Sequence, residues 1–197
     1  MTTPRVPTLA LLASVALTSC GAGVPPVIRD ELTRAPPGVV TVVFFTDFQC
    51  PYCRRTHAAL SAVLASRPGR VRVVLRHVPL RMHPDAPTAA RAAICAEALP
   101  GYDAYVRALY ASPDLGETAC EELAVDLGAE REAFRRCVAD PATERRIARD
   151  TGMLDQLGGE GVPLLYVGRR RMDGSQTRRD LEAAIDDAAR EIPSIER

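Results

Sequence analysis

Apolar residues follow two different periods along this chain, and the switches between them mark its organisation. Val39-Val40-Thr41-Val42-Val43-Phe44-Phe45 is an unbroken β-branched and aromatic run that ends at Thr46. A run of this kind predicts a central strand covered on both faces. Ala58, Ala59, Ala62 and Val63 then mark one face of an amphipathic helix over 51–66, closed by Pro68-Gly69. A second strand is expected over 71–78. A strand–helix–strand order with this crossover implies a parallel pair.

From Pro84 the period becomes helical. Alanine-rich patterns predict helices over 85–98, 102–111, 117–127, 130–139 and 142–157, with breaks at Pro100-Gly101, Pro113, Gly128, Pro141 and Gly158-Gly159. Strand character returns at Pro163-Leu164-Leu165-Tyr166-Val167, and Gly168-Arg169 can turn the chain into a short strand over 170–172. Thr177 is placed to cap a last helix with Leu181, Ala184, Ile185 and Ala188 on one face. Strands thus flank an all-helical middle. Segment 21–37, with proline pairs at Pro25-Pro26 and Pro36-Pro37 and little periodicity, reads as a tether. Arg169-Arg170-Arg171 reads as a solvated hairpin tip, too short for a nucleic-acid groove.

Composition narrows the function classes. The 197 residues carry 25 basic and 25 acidic side chains, a formal net charge of +0, so neither a nucleic-acid partner nor an acidic solvating role is indicated. The beginning of the chain is more telling. Arg5 precedes an apolar stretch over 6–17, too short to span a bilayer, which runs into Leu17-Thr18-Ser19-Cys20-Gly21. This resembles a bacterial lipobox. It implies a signal peptide over 1–19, cleavage before Cys20 and lipid on the Cys20 thiol, and hence an extracytoplasmic domain anchored to a membrane. Disulfides persist in that setting.

Cys50-Pro51-Tyr52-Cys53 follows the first strand and opens the first helix. Two thiols one helical turn apart at such a junction can form a disulfide with each other and exchange it with another protein. The attacking species is a thiolate. The free N–H groups and dipole of a helix N-terminus, with Pro51 at the favoured first position, would stabilise one on Cys50. Cys50 is therefore the expected nucleophile and Cys53 the resolving thiol. A structural zinc site would need two further ligands of suitable spacing. His57, His77 and His83 do not supply a second paired motif. His57 is expected on the exposed side of its helix, and His77 and His83 in structural roles at the strand exit.

Phe45-Thr46-Asp47-Phe48-Gln49-Cys50-Pro51-Tyr52-Cys53 resembles the active-site stretch of the DsbA-like thiol:disulfide oxidoreductases, which have a thioredoxin fold. Arg76-His77-Val78-Pro79-Leu80 with His83-Pro84, the stretch from Ala89-Ala90 to Cys95-Ala96, and Gly161-Val162-Pro163 resemble further parts of that family. The resemblance implies a thioredoxin-like α/β fold over 38–79 and 158–192 with an inserted all-helical subdomain over 80–157. It also implies a cis bond at Val162-Pro163 facing Cys50, protein thiols and disulfides as substrates, redox equivalents from partner thiols, and no metal or nucleotide cofactor. It favours a Cys95–Cys137 bridge. The spacing of the helices keeps a rival open, because Cys120 and Cys137 would lie level across a hairpin turning near Gly128. One departure stands out. Many thioredoxin-fold enzymes carry a buried acid six residues before the first cysteine, and here that position is Phe44. Asp47 is the nearest acid, either a substitute proton relay or a residue fixing the loop. A dedicated reductant for one partner and a non-catalytic binding module are the alternative functions; retention of both cysteines counts against the second.

Overall fold

A computed structural model describes residues 23–192. Four strands form one sheet in the order β2-β1-β3-β4: β1 (Val40–Thr46), β2 (Val71–His77), β3 (Leu164–Val167) and β4 (Arg170–Asp173). β1 and β2 are parallel, while β3 runs antiparallel to both β1 and β4. The parallel pair is bridged by α2 (Pro51–Ala65). Between β2 and β3 the chain makes α3 (Ala86–Ala96), α4 (Tyr102–Ala111), α5 (Glu117–Asp126), α6 (Arg131–Ala139) and α7 (Pro141–Gln156). It closes with α8 (Arg178–Glu191), whose Thr177 and Asp180 form a reciprocal capping box.

The unbroken apolar run becomes intelligible in β1, where all seven residues are buried. Val40, Val42 and Phe44 face a core built with Leu60 and Val63 of α2, Leu181 and Ile185 of α8, and much of the helical insert. Val43 and Phe45 face a second core with Leu164, Tyr166, Leu154 and Leu157. Each such phenylalanine contributes roughly 1.5–3 kcal/mol of transfer free energy. Gly168 turns β3 into β4 at φ +56°, and a Cβ there would come within 3.0 Å of the Ala188 Cβ, so the turn and its contact with α8 both require glycine.

One expectation needs correction. The segment read as a tether contains a helix, α1 (Pro26–Thr33), with Pro25 as N-cap and Pro26 at a position whose missing N–H costs nothing. Its Ile28 is fully buried in the second core. Its Glu31 accepts hydrogen bonds from Arg34 at 2.7 Å, from Arg72 at 3.1 Å and from Arg76. Arg76 also reaches the buried Asp150 of α7 at 3.3 Å, whose other oxygen accepts the His77 N–H at 3.0 Å. This ionic chain fastens α1, β2 and α7 together. The arginine run is exposed at the β3–β4 hairpin as expected, and within it Arg171 also donates to the carbonyls of Leu157 and Gly158, the last of which lies 3.2 Å away. It thereby satisfies orphan acceptors at the end of α7.

Candidate active site

β1 ends at Thr46, and three residues later the chain enters α2 with Cys50 as its N-cap in extended conformation and Pro51 in the first turn. Asp47 makes this turn. Its carboxylate is wholly buried, with one oxygen accepting the N–H of Gln49 at 2.7 Å and of Cys50 at 3.2 Å. The other accepts the N–H of Leu80 at 2.8 Å and lies 2.8 Å from Nδ1 of His83. With both oxygens engaged, Asp47 fixes the loop. The side chain of Gln49 adds a two-point clasp, accepting the N–H of Asp85 at 2.7 Å and donating to its carboxylate at 3.1 Å. The Cys50 loop is thus held rigidly against the segment leaving β2.

Cys50 and Cys53 are free thiols in very different settings. A hydrogen bond from the Cys53 thiol is the main influence lowering Cys50 to about 6, against the opposing effect of burial. The amides of Cys53 and Tyr52 also favour negative charge on that sulfur, although Cys50 makes no formal capping hydrogen bond, and the Asp47 carboxylate acts in the opposite sense. Burial is the main influence pushing Cys53 far up, its interaction with Cys50 adds to this, and the Thr46 hydroxyl acts in the opposite direction. One sulfur is therefore disposed to be a thiolate near neutral pH and the other to stay protonated until the reaction draws its proton away.

The Val162-Pro163 bond is cis, and the Val162 carbonyl oxygen lies 3.9 Å from Cys50 Sγ. Pro51 and Tyr52 are exposed at the mouth of the site, with the Arg55 guanidinium 4.6 Å over the Tyr52 ring. The fold thus brings together Cys50, Pro51, Tyr52, Cys53, Asp47, Val162 and Pro163. Cys95 and Cys137 lie elsewhere, joined to each other between α3 and α6, and Cys20 lies outside the described residues. Cys120 is not paired across the α5–α6 hairpin. It is a buried thiol that donates to the Leu115 carbonyl at 3.3 Å and is pushed up to about 12, mainly by burial.

Other residues join the site without having been expected there. The Thr46 hydroxyl lies 2.5 Å from the Tyr110 hydroxyl, both buried. The Tyr110 ring packs on Phe48 at 4.7 Å and stacks on His57 at 4.3 Å. His57 is consequently half-buried rather than exposed, and desolvation lowers it to about 4. Thr46 had a signal in the sequence, since the period of two puts it on the same face of β1 as Phe44. Tyr110 is 64 residues away and reaches the site only through packing of α4.

A family model described as thioredoxin matches residues 35–187. The chain belongs to the thioredoxin family. A thioredoxin-like oxidoreductase from Silicibacter pomeroyi shares 31% sequence identity and superposes with a TM-score of 0.72 over 84% of this chain and 99% of that one. The thiol-disulfide exchange protein alpha-DsbA2 from Wolbachia pipientis, at 19% identity, shares the fold with a TM-score of 0.69, covering 81% and 90% of the two chains. Within the thioredoxin family this chain carries its additional helices α3 to α7 between β2 and β3. Curated relatives include a Na+/H+ antiporter from Salinispora tropica, 33% identical over 159 residues, which are 80% of this chain but 24% of that protein. The chain spans about a quarter of the length of these antiporter relatives.

Proposed function

We propose that this protein exchanges disulfides with other proteins outside the cytoplasm, with Cys50 as nucleophile and Cys53 as resolving thiol. The observation that supports this most strongly is the opposite displacement of two adjacent thiols, Cys50 down to about 6 and Cys53 upward. The Cys50 thiolate attacks a substrate disulfide, forming a mixed disulfide as one substrate sulfur departs with the bonding pair. Cys53 then loses its proton and attacks Cys50 Sγ. The second substrate sulfur departs as a thiolate and takes up a proton. The substrate gains two electrons and the Cys50–Cys53 pair loses them. Run in reverse, the same steps oxidise a substrate dithiol. Stabilising the Cys50 thiolate favours the reduced pair, which makes the disulfide a stronger oxidant than an unshifted pair would be.

The lipobox-like segment supports attachment of the domain to a bacterial membrane through lipid on Cys20. Antiport is not carried over from the curated relatives. The matched segment is a minor part of them, and among the described residues no helix is long and apolar enough to cross a membrane.

The deciding experiment uses trapping. Cys53→Ala accumulates mixed disulfides with protein partners that thiol reductants release, and Cys50→Ala abolishes both trapping and exchange. Exchange activity surviving in Cys50→Ala would sink the mechanism. Metabolic lipid labelling tests the anchor: label is expected on the wild-type chain and absent from Cys20→Ala, and label persisting in that variant would remove the anchor from the proposal.

A further inference from the structure

The resolving thiol needs a way to become a thiolate, and the usual device is missing. Phe44, fully buried, occupies the place of the acid, and its register partners on either side are Leu75 and Leu165. Titratable groups facing this region come from four places: Cys50 and His57 on α2, Asp47 in the preceding loop, His77 on β2 and Tyr110 on α4. Asp47 is committed to four contacts and belongs to the loop. Desolvation lowers His57 to about 4 and His77 to about 3, so both imidazoles are neutral at pH 7. What remains beneath Cys53 is polar and uncharged. Thr46, also buried, lies one step beyond Phe44 on the same face of β1, the face whose core holds Phe44, Cys53 and Tyr110, and its hydroxyl acts on the Cys53 thiol in the direction that favours the thiolate. Its hydroxyl meets that of Tyr110 at 2.5 Å, and Tyr110 is clamped between Phe48 and His57, the latter one helical turn beyond Cys53.

We infer that the Thr46–Tyr110 hydroxyl pair takes the place of the missing acid and stabilises the Cys53 thiolate as it forms. Tyr110 donates to the Thr46 oxygen, which leaves the Thr46 proton to be donated to the Cys53 sulfur. The two hydroxyls polarise each other in a dry site, where such chains are strengthened. No proton is consumed by the pair. The proton lost by Cys53 ends on the departing substrate thiolate, and the Cys50–Cys53 bond forms as the Cys50–substrate bond breaks. In the reverse direction the same pair stabilises Cys53 as the leaving group. Burial of Tyr110 holds its own proton firmly, well above the usual phenol range, so it acts as a donor rather than a base. This inference rests on the exchange reading above. It gives the helical insert a part in the chemistry, because Tyr110 belongs to α4.

The test separates the two steps of exchange. Reduced full-length protein is mixed with oxidised glutathione, quenched in acid at intervals, and analysed by mass spectrometry from pH 5 to 9. Wild type forms the Cys50–glutathione mixed disulfide and resolves it; if it formed none, the exchange reading itself would fail. Thr46→Val and Tyr110→Phe are expected to form the mixed disulfide at the wild-type rate. They should resolve it at least ~10-fold more slowly, as loss of a hydrogen bond to a charged group predicts. Their resolution rates should also rise only at higher pH than in wild type, and Thr46→Ser should restore wild-type behaviour. Circular dichroism identifies folded variants, and Tyr110→Phe, which removes only an oxygen, decides alone if Thr46→Val does not fold. Wild-type resolution rates in the folded variants, or equal slowing of both steps, overturn the inference.

Discussion

Cys50 and Cys53 lie one helical turn apart, whereas Cys95 and Cys137 are separated by 42 positions and meet only because α3 packs on α6. Their places on their helices differ in the same systematic way. Cys50 is the N-cap of α2, where free amides and the positive end of the helix favour a thiolate. Cys95 is the penultimate residue of α3, and Cys137 lies two residues before the end of α6. There the local field is that of unpaired carbonyls, which disfavours negative sulfur. The nearest polar side chain, Thr143, contacts both sulfurs at 3.9–4.0 Å. The Cys50 sulfur is thus tuned first by its Cys53 partner and then by the helix end it occupies, whereas the Cys95–Cys137 pair has no such amides at its helix ends. The pair at an N-terminus is poised to exchange. The pair near C-termini ties two helices of the insert together.

Two measurements press on this contrast. The larger effect belongs to the structural pair. Removing it with Cys95→Ala and Cys137→Ala should cost about 2–4 kcal/mol of stability, because it closes a long loop in the unfolded chain. Denaturant titration of the oxidised protein measures this. Exchange through Cys50 in the folded double variant should stay close to wild type; a large fall would show that the two pairs are not separable. The smaller effect is a pH dependence confined to the catalytic pair. Cys50 sits at about 6 in the folded chain against an ordinary value of 9.0. A lowered value means its thiolate stabilises the reduced folded state fully above pH ~9 and loses that effect as pH falls through about 6. The stability gap between the reduced wild type and Cys50→Ser should therefore widen from pH 6 to 9, and Cys50 alkylation should follow a midpoint near 6. A flat gap, or a midpoint near 9, would mean that neither the Cys53 thiol nor the helix amides tune this sulfur.

Much of this arrangement could be read in the sequence, because it depends on local pattern. The apolar run of β1 is visible as a central strand since both of its faces are buried. Pro51 and Thr177 mark helix starts by local chemistry alone. Asp47 is a case where the sequence offered two roles and only tertiary contacts with Leu80 and His83 select one. What was not legible depends on distant partners. α1 hides because its buried face amounts to Ile28 and Glu31, and a glutamate looks like solvent surface until Arg72 and Arg76 are placed against it. Tyr110 looks like one more residue on the apolar face of α4 until its hydroxyl is seen to end at Thr46.

The docking of α1 has a mechanical consequence. A tether reaching to Pro37 would let the domain sample a wide shell above a membrane. With α1 pinned to the back of the sheet by Ile28 and Glu31, only five residues, 21–25, separate Cys20 from α1 in the sequence. Fully extended, five residues reach at most roughly 17 Å. If lipid holds Cys20, the redox centre rides at a nearly fixed height and tilt. Partners must then come to it across a narrow gap instead of being swept up by a swinging arm.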